Sequence, residues 1–230
     1  FKTDRKGQGF MESVRMAIAM VLTLIASYLI GCANFAIIIS KLVYHKDIRA
    51  YGSGNAGMTN IARTFGKWPA VACTIGDFLK GTIAALLGHL FVIILGAGSG
   101  FDAFPFYGNY LVAVGVMLGH CFPVFNGFRG GKGILVSAGV ILVLNYRVLL
   151  ILLVVFLVVF LASRMVSLGS ITVAALYPIL TLADGLIRQT GTVIPDTVVG
   201  ILWGGMVIFL HRENIKRLLN GTESKFGKKK

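Results

Sequence analysis

Acidic side chains are scarce in this sequence, whose 230 residues include 9 Asp and Glu against 22 Lys and Arg. Charged residues of both signs make up 13% of the chain, about half the share that is usual in soluble domains. Because 56% of the residues are apolar, the chain lacks the polar surface that a water-exposed globule needs. Together with a mean hydropathy of +0.82, this composition indicates an integral membrane protein.

Further absences narrow the class of protein. Cysteine occurs only three times, at the scattered positions Cys32, Cys73 and Cys121, which argues against a disulfide framework or a zinc site and predicts buried thiols. The apolar stretches do not alternate with a period of two, which disfavours an outer-membrane barrel. The net charge of +13 does not indicate a nucleic-acid partner, because the basic residues lie in loops and at the ends of apolar runs.

Seven apolar segments predict an all-α integral membrane protein with about seven transmembrane helices. They cover residues 14–40, 68–96, 107–122, 134–144, 148–162, 171–186 and 193–210. Spanning a bilayer takes about 20 residues, so segments three to five must extend into the adjacent glycine-rich loops, or segments three and four form a re-entrant pair. Residues 1–10 are interpreted as a polar leader or a remnant of cloning, and residues 11–230 as a single transmembrane domain.

The positive charges predict the orientation of the chain. With seven spans, the loops after segments one, three and five share one side with the C-terminal tail, and this side carries 16 of the 22 Lys and Arg residues. Cytoplasmic loops carry an excess of Lys and Arg. We therefore expect these loops to face the cytoplasm and the N-terminus to lie outside.

The most unusual polar stretches all lie on this predicted cytoplasmic side. They cover residues 52–63, 119–133 and 211–214, with a shorter stretch that contains Ser167 and Ser170. Separate loops that converge on one face are what a shared site at the membrane surface requires, so we predict that they form one site.

The first stretch has the composition of a phosphate-binding loop. Gly52, Gly54 and Gly57 permit positive φ and allow backbone N–H groups to face one concavity, and Arg63 offers a bidentate guanidinium. Hydroxyl and amide donors come from Ser53, Asn55, Thr59 and Asn60. The glycine spacing matches the dinucleotide fingerprint, but no strand precedes it. The alternative is an ordinary flexible loop between helices.

The second stretch contains Gly130, Gly131, Lys132 and Gly133. It is not a P-loop, because Asn126 replaces the first glycine of that motif and Gly133 its Ser or Thr. A lysine among glycines at the start of a helix still favours an anion, although it can equally be an ordinary cytoplasmic lysine.

Two other pairs of residues each have a functional and a structural interpretation. His211 and Asn214 lie three residues apart and share one helical face, where the histidine is either catalytic or structural. Asp77 and Lys80 are ionisable residues inside an apolar segment, which are functional candidates or a pair that secures their helix.

The sequence has no Ser-His-Asp arrangement and no carboxylate pair with metal-ligand spacing. Such a site binds anions without a strong base, which suits a substrate that carries its own leaving group.

Three stretches of the sequence resemble the signature loops of the bacterial acyl-phosphate:glycerol-3-phosphate acyltransferases (PlsY type): GSGNAGMTNIAR, GHCFPVFNGFRGGKG and HRENIKRLLNGTE. SRMVSLGSI resembles the short segment that the family carries between them. The resemblance covers residues 24–226, with the motifs in the same order and at comparable spacing. One departure is Ala56, where many members have proline; we expect it to alter the stiffness of the loop and not its chemistry.

The resemblance implies a seven-helix enzyme of the bacterial inner membrane that acts in the first step of phospholipid synthesis. Such enzymes transfer a fatty acyl group from acyl phosphate to the 1-hydroxyl of glycerol-3-phosphate and release 1-acyl-glycerol-3-phosphate (lysophosphatidic acid) and phosphate. The resemblance implies neither a cofactor nor a metal. The expected partners are the two substrates and the lipid bilayer, and we expect a monomer.

The resemblance also assigns residues to the site. Those expected to be catalytic are Lys132, Ser170, His211 and Asn214. Those expected to bind substrate are Ser53, Gly54, Asn55, Thr59, Asn60, Arg63, Gly130, Gly131 and Ser167. The alternative function is an organic-phosphate transporter, but transporters place their site at the bilayer midplane between internal repeats, and the sequence has no repeat.

Overall fold

The computed structural model describes residues 2–96 and 104–227, and every regular element in these ranges is helical. The helices are α1 (Lys2–Cys32), α2 (Phe35–Leu42), α3 (Met58–Phe65), α4 (Lys67–Gly96), α5 (Phe104–Cys121), α6 (Ile134–Ser163), α7 (Val166–Arg188), α8 (Val193–Leu210) and α9 (Arg212–Leu219). Short 3-10 turns cover Ile48–Ala50 and Val124–Asn126. The predicted all-α class is confirmed. The predicted loop at Asp102 lies outside the described residues.

Six of the described helices are long and apolar enough to cross a membrane. These spans are Gly9–Cys32, Lys67–Leu90, Gly108–Asn126, Ile134–Ser163, Val166–Arg188 and Val193–Leu210. The predicted count of seven is not confirmed, because predicted segments four and five both belong to α6. The predicted polar leader is part of α1 from Lys2 onward.

Asn145 interrupts α6 at the position where the sequence predicts a break. Its backbone leaves the helical region (φ −155°, ψ 79°). Its side-chain Oδ1 accepts the backbone N–H of Val148 at 3.2 Å, which is the contact that an N-cap residue makes. The second part of α6 therefore begins with its own cap, and a single residue separates the two parts instead of a loop.

The same interruption divides the chain into two compact units, Phe1–Leu144 and Asn145–Lys230. The single domain predicted for residues 11–230 stays a prediction. In the first unit, α1 packs on α5 and α4, and α4 packs on α5. In the second unit, α7 packs on α8, and α9 follows α8 directly.

Glycines allow α1 and α5 to approach each other closely. A Cβ atom on Gly119 would lie 2.0 Å from the carbonyl oxygen of Tyr28, and one on Gly31 would lie 2.3 Å from that of Val116. Lipid gives apolar helices little hydrophobic reason to associate, so membrane helices depend on close packing over small residues. The second unit uses the same device, because a Cβ on Gly204 would lie 2.4 Å from the oxygen of Ala174.

The first predicted segment is two helices in the structure. α1 ends at Cys32, and α2 starts at Phe35 because the side chain of Asn34 accepts the N–H of Ile37 at 3.1 Å. A β-region N-cap whose side chain bonds to the third helical residue starts a new helix. The polar character of one residue thus ends a helix that hydropathy alone would continue. All three cysteines are buried, as predicted.

We expect Gly119→Ala to lower the thermal stability of the purified protein, by about 1–3 kcal/mol for a side chain forced into a packed contact. Gly205→Ala is the matched control, because it also lies within a membrane helix and has open space around the added Cβ. Melting curves in detergent, in which reaction of the buried thiols reports unfolding, measure the thermal stability of both variants. Equal stability of Gly119→Ala and the wild type would contradict this account of helix packing.

Candidate active site

The first polar loop takes its shape from Asn60. This side chain is 1% exposed; its Oδ1 accepts the N–H of Ser53 at 2.9 Å. Its Nδ2 donates to the carbonyl oxygens of Ile48, Tyr51 and Asn55, at 3.2, 2.9 and 3.1 Å. Asn60 therefore closes the loop on itself and makes its contacts with the protein backbone.

The backbone of this loop departs from the predicted cradle in one respect. Gly52 and Gly54 do adopt positive φ, +58° and +70°, as the pattern predicts. The N–H groups of Gly54 and Gly57 donate within the loop, to Tyr51 and Asn55. Like that of Ser53, these N–H groups are already bonded, because so tight a turn brings its own carbonyl oxygens within reach.

The side chains that the loop presents outward are those that the sequence singles out. Ser53 and Arg63 are exposed, and Asn55 and Thr59 are half-buried. Arg63 lies in the last turn of α3. The loop therefore offers a hydroxyl group and a guanidinium group at its surface.

The second loop folds back onto the end of α5. The N–H of Gly130 donates to the carbonyl of Cys121 at 3.0 Å, and that of Gly131 donates to the carbonyl of His120 at 3.1 Å. A Cβ on Gly131 would lie 2.3 Å from His120 Nε2 and 2.7 Å from the oxygen of Ala56. These glycines are required because three pieces of chain meet there. Lys132 is half-buried and precedes the first residue of α6 by two positions, as predicted.

Arg49 joins the two loops, a role that the sequence analysis missed. Its Nη1 donates to the carbonyl oxygens of Asn126 and Arg129. Asp47 accepts from Arg49 Nε and Nη2 at 2.9 and 2.7 Å, and this hydrogen bonding lowers the pKa of Asp47 to about 2. Asp47 therefore stays ionised and holds the guanidinium in place. No local pattern predicts a contact between residues 77 positions apart.

In the second unit, Glu223 binds two of the predicted site residues. Ser167 Oγ and Asn214 Nδ2 both donate to Glu223 Oε1 at 2.8 Å, and Arg217 Nε donates to Oε2 at 2.7 Å. The Glu223 side chain is 7% exposed. The sequence analysis did not select Glu223, although it lies at the end of the HRENIKRLLNGTE motif.

The environment of Glu223 favours its ionised form. Burial by itself raises the pKa of this carboxyl, but the hydrogen bonds from Ser167, Arg217 and Asn214 outweigh burial, so the pKa is lowered. Above about pH 4.3, the ordinary pKa of Glu, the bonds stabilise the fold fully. This contribution is lost as the pH falls through the lower pKa of the folded state.

His211 and Asn214 lie on one buried face of the C-terminal region, as predicted, whereas Arg212 and Lys216 are exposed. His211 Nδ1 lies 2.8 Å from the carbonyl oxygen of Val207. A carbonyl can only accept, so Nδ1 donates this hydrogen bond. Ser170 is buried on α7 and donates to the carbonyl of Val166 in its own helix.

Asp77 and Lys80 pair within α4, as one of the two sequence interpretations predicts, with 2.8 Å between Oδ1 and Nζ. The predicted site residues are distributed over both units. Ser53 through Arg63 and Gly130 through Lys132 belong to the first unit, whereas Ser167, Ser170, His211 and Asn214 belong to the second. The predicted convergence of all these loops on one site stays a prediction.

Comparison with known proteins decides the family. The model of the glycerol-3-phosphate acyltransferase family matches residues 21–221. A glycerol-3-phosphate acyltransferase of Syntrophomonas wolfei is 42% identical over 205 residues, which cover 88% of this chain and 94% of that protein. The chain belongs to the glycerol-3-phosphate acyltransferase family. It is therefore an acyltransferase.

Two solved structures agree with the family in fold. A crystal structure of PlsY (YgiH), an integral membrane glycerol 3-phosphate acyltransferase, in its glycerol 3-phosphate form has a TM-score of 0.74 and 35% identity; the match covers 90% of this chain and 96% of that one. The lysophosphatidic acid form has a TM-score of 0.71 and 34% identity, with coverages of 90% and 95%. These matches confirm the resemblance seen in the signature loops and the class of integral membrane enzyme.

We expect Glu223→Gln to lower the free energy of unfolding by about 1–2 kcal/mol at neutral pH, because an amide replaces a carboxylate that accepts three hydrogen bonds, one of them from a partly exposed arginine. Glu213→Gln is the matched control on α9, since Glu213 bonds to Lys216 and both side chains are exposed. Denaturant titration at pH 7 and pH 4 measures both. We expect the two variants to differ less in their free energy of unfolding at pH 4 than at pH 7. An equal loss of stability in both variants at pH 7 would contradict the role of Glu223.

Proposed function

We propose that this enzyme transfers a fatty acyl group from acyl phosphate to the 1-hydroxyl of glycerol-3-phosphate. The observation that carries this proposal is a pair of loops in the first unit that Arg49 joins and that bear the cations Arg63 and Lys132. The related solved structure has a glycerol 3-phosphate form. Both proposed substrates are phosphates, so a basic pair of loops suits them.

The choice of acyl phosphate as donor follows from the chemistry that the site lacks. Two carboxylates near the predicted residues are held by other groups, Asp47 by Arg49 and Glu223 by three donors. Neither is available to remove a proton from an alcohol. A mixed anhydride supplies its own leaving group and needs no strong base, which makes acyl phosphate the donor class that this site fits.

The first unit supplies the groups that bind phosphate. We assign Ser53, Arg63 and Lys132 to direct contact with phosphate oxygens, with Asn55 and Thr59 as further donors. Asn60, Gly54, Gly130 and Gly131 act differently: they shape the loops, since their polar groups or backbone are engaged within the protein. Cations beside the phosphates stabilise the charge that develops in the transition state.

The second unit supplies the groups that orient the reaction. Ser170 and His211 suit the departing phosphate, and Asn214 suits the glycerol hydroxyl. Ser167 acts through Glu223, which also fixes Asn214. In the transfer step, the hydroxyl oxygen bonds to the acyl carbon, the acyl carbon–phosphate oxygen bond breaks, and the hydroxyl proton passes to a substrate phosphate oxygen.

The membrane setting bears on where the acyl chain binds and on how the enzyme is oriented. We propose that the acyl chain lies in an apolar groove that opens to the bilayer near Phe122 and Phe125, which are exposed. The enzyme acts as a monomer in the bacterial inner membrane and uses no cofactor. Its loops face the cytoplasm, from which glycerol-3-phosphate arrives, and its N-terminus lies outside.

Phosphate release by purified protein in lipid tests the proposed reaction. With palmitoyl phosphate and glycerol-3-phosphate and no added metal, we expect release that requires both substrates. Lys132→Ala and His211→Ala should each lower the rate by 100-fold or more, on the order of one lost transition-state contact, and Asn214→Asp should also be impaired. Gly205→Ala serves as the control.

Each other outcome of this assay points elsewhere. Release of phosphate without glycerol-3-phosphate would indicate a phosphatase. No release by folded protein would favour a transporter of organic phosphates. Near-normal turnover of His211→Ala or Asn214→Asp would contradict their proposed roles.

Cysteine labelling tests the proposed sidedness. Phe128→Cys and Asn220→Cys place thiols at exposed loop positions whose backbone already carries a side chain, and the three native thiols are buried. In intact cells, we expect a membrane-impermeant maleimide to label neither position, and to label both once the inner membrane is opened. Labelling of one position in intact cells would show that the loops lie on opposite sides and that α6 is a single span.

A further inference from the structure

A buried ionic cluster lies where α1 ends. Lys80 Nζ donates to the carbonyl oxygens of Gly31 at 3.2 Å and Ala33 at 2.7 Å. It also lies 2.8 Å from Asp77 Oδ1 and 2.8 Å from His120 Nδ1. The side chains of Lys80 and Asp77 are only 4% and 2% exposed. The cluster therefore draws together α1, α4 and the end of α5.

The cluster also holds the start of α2. Asp77 Oδ1 accepts the N–H of Phe35 at 3.4 Å, the first residue of that helix. The last carbonyls of one helix thus face a cation, and the first N–H of the next faces an anion, which is the arrangement that the helix dipoles favour. Lys80 and Asp77 satisfy backbone groups that the break between α1 and α2 leaves open.

Residues at two sides of the cluster bond to the two polar loops, residues 52–63 and 119–133, which we call the first and second substrate loops. Asn34 lies at the break, is 0% exposed, and donates through Nδ2 to the carbonyl of Ala56 in the first loop at 3.2 Å. On the other side, His120 accepts the N–H of Gly131 through its backbone oxygen, and its ring lies against Gly131. Ala56 and Gly131 are themselves in close contact. The two loops therefore contact each other, and both are bonded to residues at or next to the buried ionic cluster.

A buried ionic cluster has a high desolvation cost if its role is only to hold helices together. Two charges removed from water lose several kcal/mol of hydration each, and apolar residues of similar volume often stabilise a fold as well or better. What a charged cluster adds is a definite geometry, because each donor and acceptor fits only one arrangement. In this protein, that geometry is passed directly to the residues beside Lys132 and to the loop that carries Ser53.

We propose that His120, with Asp77 and Lys80, is a set of positioning residues that fixes the first substrate loop relative to the second. The inference rests on the proposed function, because it assigns both loops to the phosphate groups. The cluster does not touch substrate. It sets the distance between the phosphate-binding groups of the two loops, and an error of about 1 Å in such a distance is enough to lower activity strongly.

Two substitutions of His120 separate this role from general stability. His120→Leu removes the acceptor that faces Lys80. His120→Asn keeps one, because the amide oxygen takes the place of Nδ1. In purified full-length protein in lipid nanodiscs, we expect His120→Leu to raise the KM for glycerol-3-phosphate by roughly tenfold or more. His120→Asn should stay within about threefold of the wild type.

The matched control is Val112→Ala, which removes buried apolar atoms from the same helix, α5, where Val112 packs against Gly88. It should lower the melting temperature and leave the KM unchanged. A purely structural role of His120 would behave in the same way, because a smaller folded fraction lowers the apparent kcat and not the KM. A rise in KM below threefold for His120→Leu, or an equal loss in both His120 variants, overturns the proposal.

A second variant covers the case in which His120→Leu does not fold. Asp77→Asn keeps the volume of the side chain and removes the charge opposite Lys80, and the same threefold limit in KM applies to it. Thr82→Val is its control on α4, since the Thr82 hydroxyl bonds to Phe78 and Gly139 outside the cluster.

The wild-type rate separates failure of this inference from failure of the proposed function. Wild-type protein that releases no phosphate from palmitoyl phosphate would contradict the proposed reaction. The inference is then decided by the Kd for radiolabelled glycerol-3-phosphate in the same nanodiscs, under the same limits. Wild-type protein that turns over while every cluster variant keeps its KM would overturn the inference alone.

Discussion

The structure depends on one constraint: inside a bilayer, each backbone polar group and each charge must find its partner within the protein. A membrane helix can therefore end early only where side chains replace the missing backbone bonds. The break after Cys32 meets this condition through Asn34, Asp77 and Lys80. Because the break is satisfied in this way, the chain can leave the long axis of α1 and start the polar loop that contains Ser53.

The glycine-rich loops are internally bonded because their tight turns bring carbonyl oxygens within reach of nearby N–H groups. Their N–H groups donate to nearby carbonyls, including those at the end of α5, and their glycines let three backbone segments meet. Arg63 lies in the last turn of α3 beside the first of these loops, and Lys132 lies in the second. The glycine pattern is thus required by backbone crowding and positive φ.

Much of the fold could be predicted because it follows from local properties of the chain. Hydropathy identified the long apolar helices, although the predicted count of seven spans is not confirmed, and the polar character of Asn145 marked the interruption of α6. The three-residue spacing of His211 and Asn214 placed them on one buried face. The roles of Arg49, His120 and Glu223 could not be predicted in this way. Their decisive contacts join residues 77, 40 and 56 positions apart, and nothing in the neighbouring sequence encodes such distances.

The sequence by itself determined the membrane class, the helical segments and, through its signature loops, the family, because composition, periodicity and spacing are properties of the chain alone. Only the tertiary structure decided which polar groups are engaged within the protein. Asn60 shows the difference: in the sequence it is one donor among four, and in the fold its amide is bonded to the backbone of its own loop. The physical reason is that hydrogen bonding is decided by distance in space, which the folded chain sets.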